Sequence, residues 1–156
     1  MGGGPLGLAF DGANVWVANF DTNNVTKLRA SDGANLGTFL TGAGPIGIAF
    51  DGDSVWISSA SGSVTKLRAS DGACNGVVGP PISGCTFAVG ATPYFLAFDG
   101  ANIWSANNGS GNITKLRASD GANLGTFAAG PTPVGIAFDG MNIWVSNYTA
   151  NTITKR

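Results

Sequence analysis

The side chains of this 156-residue sequence that could do chemistry are few: nine acids, all of them aspartate, eight lysines and arginines, and two cysteines, with neither histidine nor glutamate. Without an imidazole there is no Ser-His-Asp relay and no histidine/carboxylate metal site. Asp11, Asp51, Asp99 and Asp139 each precede a glycine, which raises the question of calcium loops. A calcium ion takes about six to eight oxygen ligands, commonly from carboxylates close in sequence, and here only Asp51 and Asp53 form a near pair. The aspartates therefore read as turn residues, whose carboxylates bond the backbone two residues on. No catalytic residue, no cofactor-binding residue and no metal ligand is assigned, and the protein is read as a non-enzyme that needs no cofactor.

The cations are Lys27, Arg29, Lys66, Arg68, Lys115, Arg117, Lys155 and Arg156. In the first three pairs one residue separates the two, so on a strand they share a face. Their stems cover apolar surface while their heads meet the aspartate of the following Ser-Asp-Gly turn. Net charge is −1, which gives no reason to expect a nucleic-acid partner. No apolar run approaches the roughly 20 residues that span a bilayer, so no membrane insertion is expected.

The elements that position these groups are repeats. Trp16, Trp56, Trp104 and Trp144 each follow six residues after Phe10, Phe50, Phe98 and Phe138, and both series step by 40, 48 and 40 residues. Charged residues make up 11% of the chain and glycines number 25, a composition that favours turn-rich β-structure. In the first repeat Gly7 to Phe10, Val15 to Asn19, Val25 to Arg29 and Leu36 to Leu40 read as short strands. Asp11-Gly-Ala-Asn14, Phe20 to Asn24 and Ser31 to Asn35 read as turns. Four strands in about 40 residues are the blade of a β-propeller. The expected fold is all-β, one domain over 1–156, with blades at 5–44, 45–92, 93–132 and 133–156. The last blade lacks its outer strand. The tryptophans, one per blade, read as packing between blades rather than as a carbohydrate platform.

The second repeat carries an insertion: 38 residues separate Lys66 from Trp104, against 29 between Lys27 and Trp56. Cys74 and Cys85 flank its Pro-Pro segment and read as a disulfide that closes an ordered loop over 75–84, which points to an oxidising compartment. A reduced pair of small apolar side chains is the alternative. Met1 to Pro5 has neither a basic nor an apolar leader segment, so any secretion signal has been removed or belongs to a longer parent chain. Asn24, Asn108, Asn112 and Asn147 begin Asn-x-Ser/Thr sequons, which a glycosylating host would read as acceptors.

Gly-Ile-Ala-Phe-Asp-Gly, Asn-Ile-Trp-Val and Asn-x-Val/Ile-Thr-Lys-Leu-Arg together resemble the bacterial YVTN/NHL-type propeller repeats, over the whole chain. Blades of this pattern also occur in streptogramin B lyases. Those enzymes use magnesium with histidine and glutamate, so the resemblance implies a fold and carries no catalytic residue to this sequence.

Two functions follow as expectations. The first is a non-enzymatic, extracellular or cell-surface structural protein that self-assembles into filaments or higher oligomers. Its partners are other copies of itself, recruited through the open edge formed by Asn151, Thr152, Ile153, Thr154 and Lys155; the competing arrangements are a tolerated three-stranded last blade, or a dimer that pairs two four-blade arcs into one eight-blade ring. The alternative is a lectin-like module that binds a glycan or a protein.

Overall fold

The computed structural model describes residues 2–74 and 82–156. Its fifteen strands form four antiparallel sheets, with no helix among the described residues. The first sheet has the order β1 (Pro5–Phe10), β2 (Asn14–Asn19), β3 (Asn24–Arg29), β4 (Asn35–Leu40). The second holds β5 (Pro45–Phe50), β6 (Ser54–Ser59), β7 (Ser63–Arg68) and the three-residue β8 (Thr86–Ala88). The third holds β9 (Pro93–Phe98), β10 (Asn102–Asn107), β11 (Asn112–Arg117) and β12 (Asn123–Ala128). The fourth has only three strands: β13 (Pro133–Phe138), β14 (Ile143–Asn147) and β15 (Thr152–Lys155).

Strand β1 packs on β5, β5 on β9 and β9 on β13, so the first strand of each sheet is innermost and the fourth outermost. Each opening proline stands at the start of an inner strand, where its missing N–H costs the ladder little. Between successive sheets lie three apolar clusters. Trp16, Ala18 and Val25 of the first sheet meet Ile48, Val55, Ile57 and Leu67 of the second. Trp56 and Val64 meet Leu96, Ile103 and Leu116 of the third, and Trp104 and Ile113 meet Ile143 and Val145 of the fourth. Each of the first three sheets thus turns a tryptophan face to the next, and each of the last three an aliphatic face to the one before.

Cys74 and Cys85 are bridged and both buried, and they close the outer end of the first of these clusters. Of the loop between them, 75–81 lies outside the described residues. The Lys66 N–H donates to the Cys85 carbonyl, which seats the short β8 beside β7 after the insertion.

At Gly7 and Gly47 the inner strands approach so closely that a side chain does not fit between them. A Cβ placed on Gly47 would collide with the Tyr94 carbonyl oxygen and lie 3.0 Å from the Phe95 Cα, both backbone atoms of the next sheet. Gly12, on a turn at φ +97°, has open space around it. Gly47→Ala should therefore cost about 3 kcal/mol by overpacking, whereas Gly12→Ala should cost about 1 kcal/mol of backbone strain. Urea unfolding of the two variants would show the difference, and equal costs would contradict the close approach.

Candidate interaction surface

The four aspartates that follow Phe10, Phe50, Phe98 and Phe138 do one job four times. Asp11 Oδ1 accepts the N–H groups of Ala13 and Asn14, while Oδ2 accepts the indole N–H of Trp16 at 2.8 Å. The indoles of Trp56, Trp104 and Trp144 donate in the same way to Asp51, Asp99 and Asp139 at 2.7, 2.7 and 2.6 Å. The carboxylate closes the hairpin and fixes the ring that enters the next junction. At Asp11 and Asp99 burial opposes ionisation. The bonds from the indole, the asparagine amide and the turn outweigh it, so both carboxyls sit below their ordinary range. At Asp139 the Trp144 indole is the largest influence and holds the carboxyl well below that range.

The two cations of each third strand part company. Arg29, Arg68 and Arg117 pair with Asp32, Asp71 and Asp120 of the following turn, as their spacing suggested. The lysines do not join them. Lys27 Nζ donates across the junction to the carbonyls of Ala69 and Ser70, at 2.7 and 3.0 Å, and lies 5.3 Å from the Trp16 ring. Lys66 does the same to Ala118 and Ser119, over Trp56. Sequence spacing identified the shared strand face, but the carbonyl acceptors are 42 and 43 residues away for Lys27 and leave no local signal.

Three sequon asparagines are tied into the sheets. Asn24 and Asn112 accept from the buried amides of Asn19 and Asn107, and Asn147 is itself buried, donating to Thr152 and Thr154. In the folded chain the Asn147 amide nitrogen is closed to a glycan. Asn108 donates to the Pro133 carbonyl at the start of β13.

Of the proposed edge residues, Thr152, Ile153, Thr154 and Lys155 form β15. Thr152 to Lys155 pair with β14 on one side only, through Asn147↔Thr152, Ser146↔Ile153, Val145↔Thr154 and Trp144↔Lys155. Asn151 stands on the preceding turn at φ +53°. The same residues also belong to a wider surface that the edge reading missed. Ile153 is 62% exposed, although Val25, Val64 and Ile113 at its place in the other sheets are at 0%. Trp144 is 39% exposed against 0% for Trp16 and Trp56. Two hollows of about 330 Å³ each lie in this face, one beside Val134, Tyr148 and Ile153, the other beside Ile136, Trp144 and Ile153. At the opposite end of the molecule Leu8 is 64% exposed, while Ile48 and Leu96 at its place are at 9% and 8%. Leu6 and Phe10 are exposed beside it. The fourth sheet therefore leaves its tryptophan face uncovered and the first sheet its aliphatic face.

No protein-family model and no curated protein matches the sequence. Solved structures do. The chain overlays on the hydrazine synthase of Kuenenia stuttgartiensis with a TM-score of 0.74 and 16% identity, covering 98% of this chain and 49% of that one. It overlays on the computationally designed Ika8 protein with a TM-score of 0.78 and 14% identity, over 97% of this chain and 45% of that one. For the designed Ika4 protein the values are 0.77 and 14%, over 99% and 91%. The chain thus spans about half the length of the first two and most of the third. At these identities the likeness is one of fold, and together with the packing order it supports a propeller-like arrangement.

The lowered carboxyls fix how stability responds to acid. A carboxyl whose pKa is lower folded than unfolded stabilises the fold above its unfolded value, near pH 4, and that stabilisation is lost as pH falls towards the folded value. Urea midpoints should be level between about pH 5 and 8, where no histidine titrates, and should fall below about pH 4. Asp99→Asn should lessen that fall. A midpoint that rises on acidification would contradict the clasps.

Proposed function

We propose that the sheets are four blades of a YVTN/NHL-like propeller array and that the chain is a non-enzymatic, extracellular structural module which builds assemblies of itself. The observation that carries this reading is the β15 edge. In the first and third sheets the outermost strand is irregular: the register shifts opposite Lys27 and Leu28, and again opposite Lys115 and Leu116, which leaves one extra residue in β4 and in β12. Such a bulge twists an edge away from regular pairing. Strand β15 pairs with β14 without any shift, and among the described residues no strand covers its other side. A straight, uncapped edge accepts a strand from another molecule through main-chain hydrogen bonds.

Other features agree with an extracellular, structural role. The Cys74–Cys85 bridge suits an oxidising compartment. A net charge of −1 sets little repulsion between copies. The absence of histidine and glutamate from the sequence removes the usual acid–base and metal chemistry.

A tail copying residues 117–128, joined after Arg156, would supply the missing outer strand in cis. Light scattering should then show a smaller assembly than that of the unextended protein. An unchanged size would overturn edge pairing.

A further inference from the structure

We propose that two copies of the chain dock head to tail, the tryptophan face of the fourth sheet of each covering the aliphatic face of the first sheet of the other. The inference deepens the self-assembly reading by naming the occupant of the uncovered faces. It differs in using faces rather than the β15 edge. Its warrant is that the missing partner of each face is already present in the molecule. The junction of a tryptophan face with an aliphatic face is built three times within the chain, and the two exposed ends are its unmatched halves.

The polar groups of the fourth sheet are set for the same contact. Ser58 Oγ accepts from the Gly47 N–H and donates across the junction to the Tyr94 carbonyl. Ser146 Oγ likewise accepts from the Gly135 N–H, and the residue at the place of Tyr94 in a docked copy is Leu6. Lys155 lies 5.3 Å from the Trp144 ring, the same pose as Lys27 over Trp16. Where Lys27 meets the Ala69 and Ser70 carbonyls, Lys155 would meet those of Ala30 and Ser31 in the second copy.

The hairpin turns give an independent match. In the first sheet Asn23, at φ +56°, accepts the Gly44 N–H at 2.8 Å, and the Phe20 ring lies against Gly44. A Cβ on Gly44 would sit 3.0 Å from that ring. The second and third sheets have Gly62 and Gly111 in place of Asn23, and the crossovers that follow carry Thr92 and Thr132 in place of Gly44. The fourth sheet returns to the first type, with Tyr148 for Phe20 and Asn151 for Asn23 at φ +53°. An aromatic and an asparagine on the turn thus call for a Gly-Pro crossover opposite. Gly4-Pro5 is the remaining one, held against the Phe20 N–H by the Gly4 carbonyl just as Gly44 holds Ala60.

Because the two faces differ, the contact is heterologous, and two arcs of four sheets are the fewest that can satisfy every face by closing a ring. Leu8 and Ile153 are exposed in the single chain, so a charge at either leaves folding intact while placing an unpaired carboxylate in the proposed junction. Sedimentation of the full chain on dilution is the test. The unmodified protein should dissociate last to a two-chain species. Leu8→Asp and Ile153→Asp should each weaken that species by at least about tenfold and leave single chains. An equimolar mixture of the two variants should regain a two-chain species, because it restores one unaltered junction. If the variants stay paired like the unmodified protein, face docking is wrong while assembly through β15 stands. If the unmodified protein is a single chain at every concentration, both readings fall.

Discussion

Every sheet in this protein is apolar on both faces, and covering those faces is what stabilises the stack. The tryptophan is the principal filler. Trp16 and Trp56 lose all their exposure between neighbouring sheets, and each such ring withdraws about 150–250 Å² from water. The hydrophobic term therefore resides between sheets more than within them, and one sheet alone would leave too much apolar surface in water to persist. The close inner strands, the closed hairpins and the lysines that reach across a junction all follow from bringing one face down on the next. The same constraint leaves the two end faces with apolar side chains in water.

Charge is used sparingly and locally. The three Arg–Asp pairs are about half exposed, with side chains 43–51% accessible. Exposed pairs of this kind contribute little to stability. The lysines matter more, because Lys27 and Lys66 carry their ammonium groups into the junction and meet carbonyl oxygens of the next sheet beneath an indole face. Carbonyl dipoles and the ring quadrupole replace water around the ammonium, so the cation bridges two sheets without an acid partner. The aspartates are spent on closing turns and orienting indoles.

Much of the fold could be read from the sequence, since period-two strands and Asp-Gly turns are local signals repeated four times. The sheets follow the expected 40-residue phrasing, with strands starting one or two residues earlier than the apolar pattern implied, at Pro5 and Asn14 for example. The Asp-to-Trp clasp was missed although its five-residue spacing is constant. Turn chemistry explained the aspartates without it, and nothing local says that an indole folds back on the turn. The lysine bridges join residues of different sheets and leave no trace in any one repeat. The uncovered faces were hidden for a related reason. All four repeats carry the same residue types, so exposure depends on place in the array and not on the residues themselves. The missing outer strand was visible as a break in the repeat, and it drew attention to the β15 edge rather than to the larger surface beside it.

On the docking proposed above, the surface that joins sheet to sheet within the chain also joins chain to chain. Hydroxyl-radical footprinting tests it directly, because it reads side-chain exposure at leucine, tryptophan, tyrosine and methionine in the assembled protein. Leu6, Leu8, Trp144 and Tyr148 should be protected together in the assembly and become reactive on dilution. Leu124, 40% exposed on the outermost strand of the third sheet, which forms neither end face, should react equally throughout. Reactivity at Leu8 and Trp144 that stays at the level of the dissociated chain would contradict the claim.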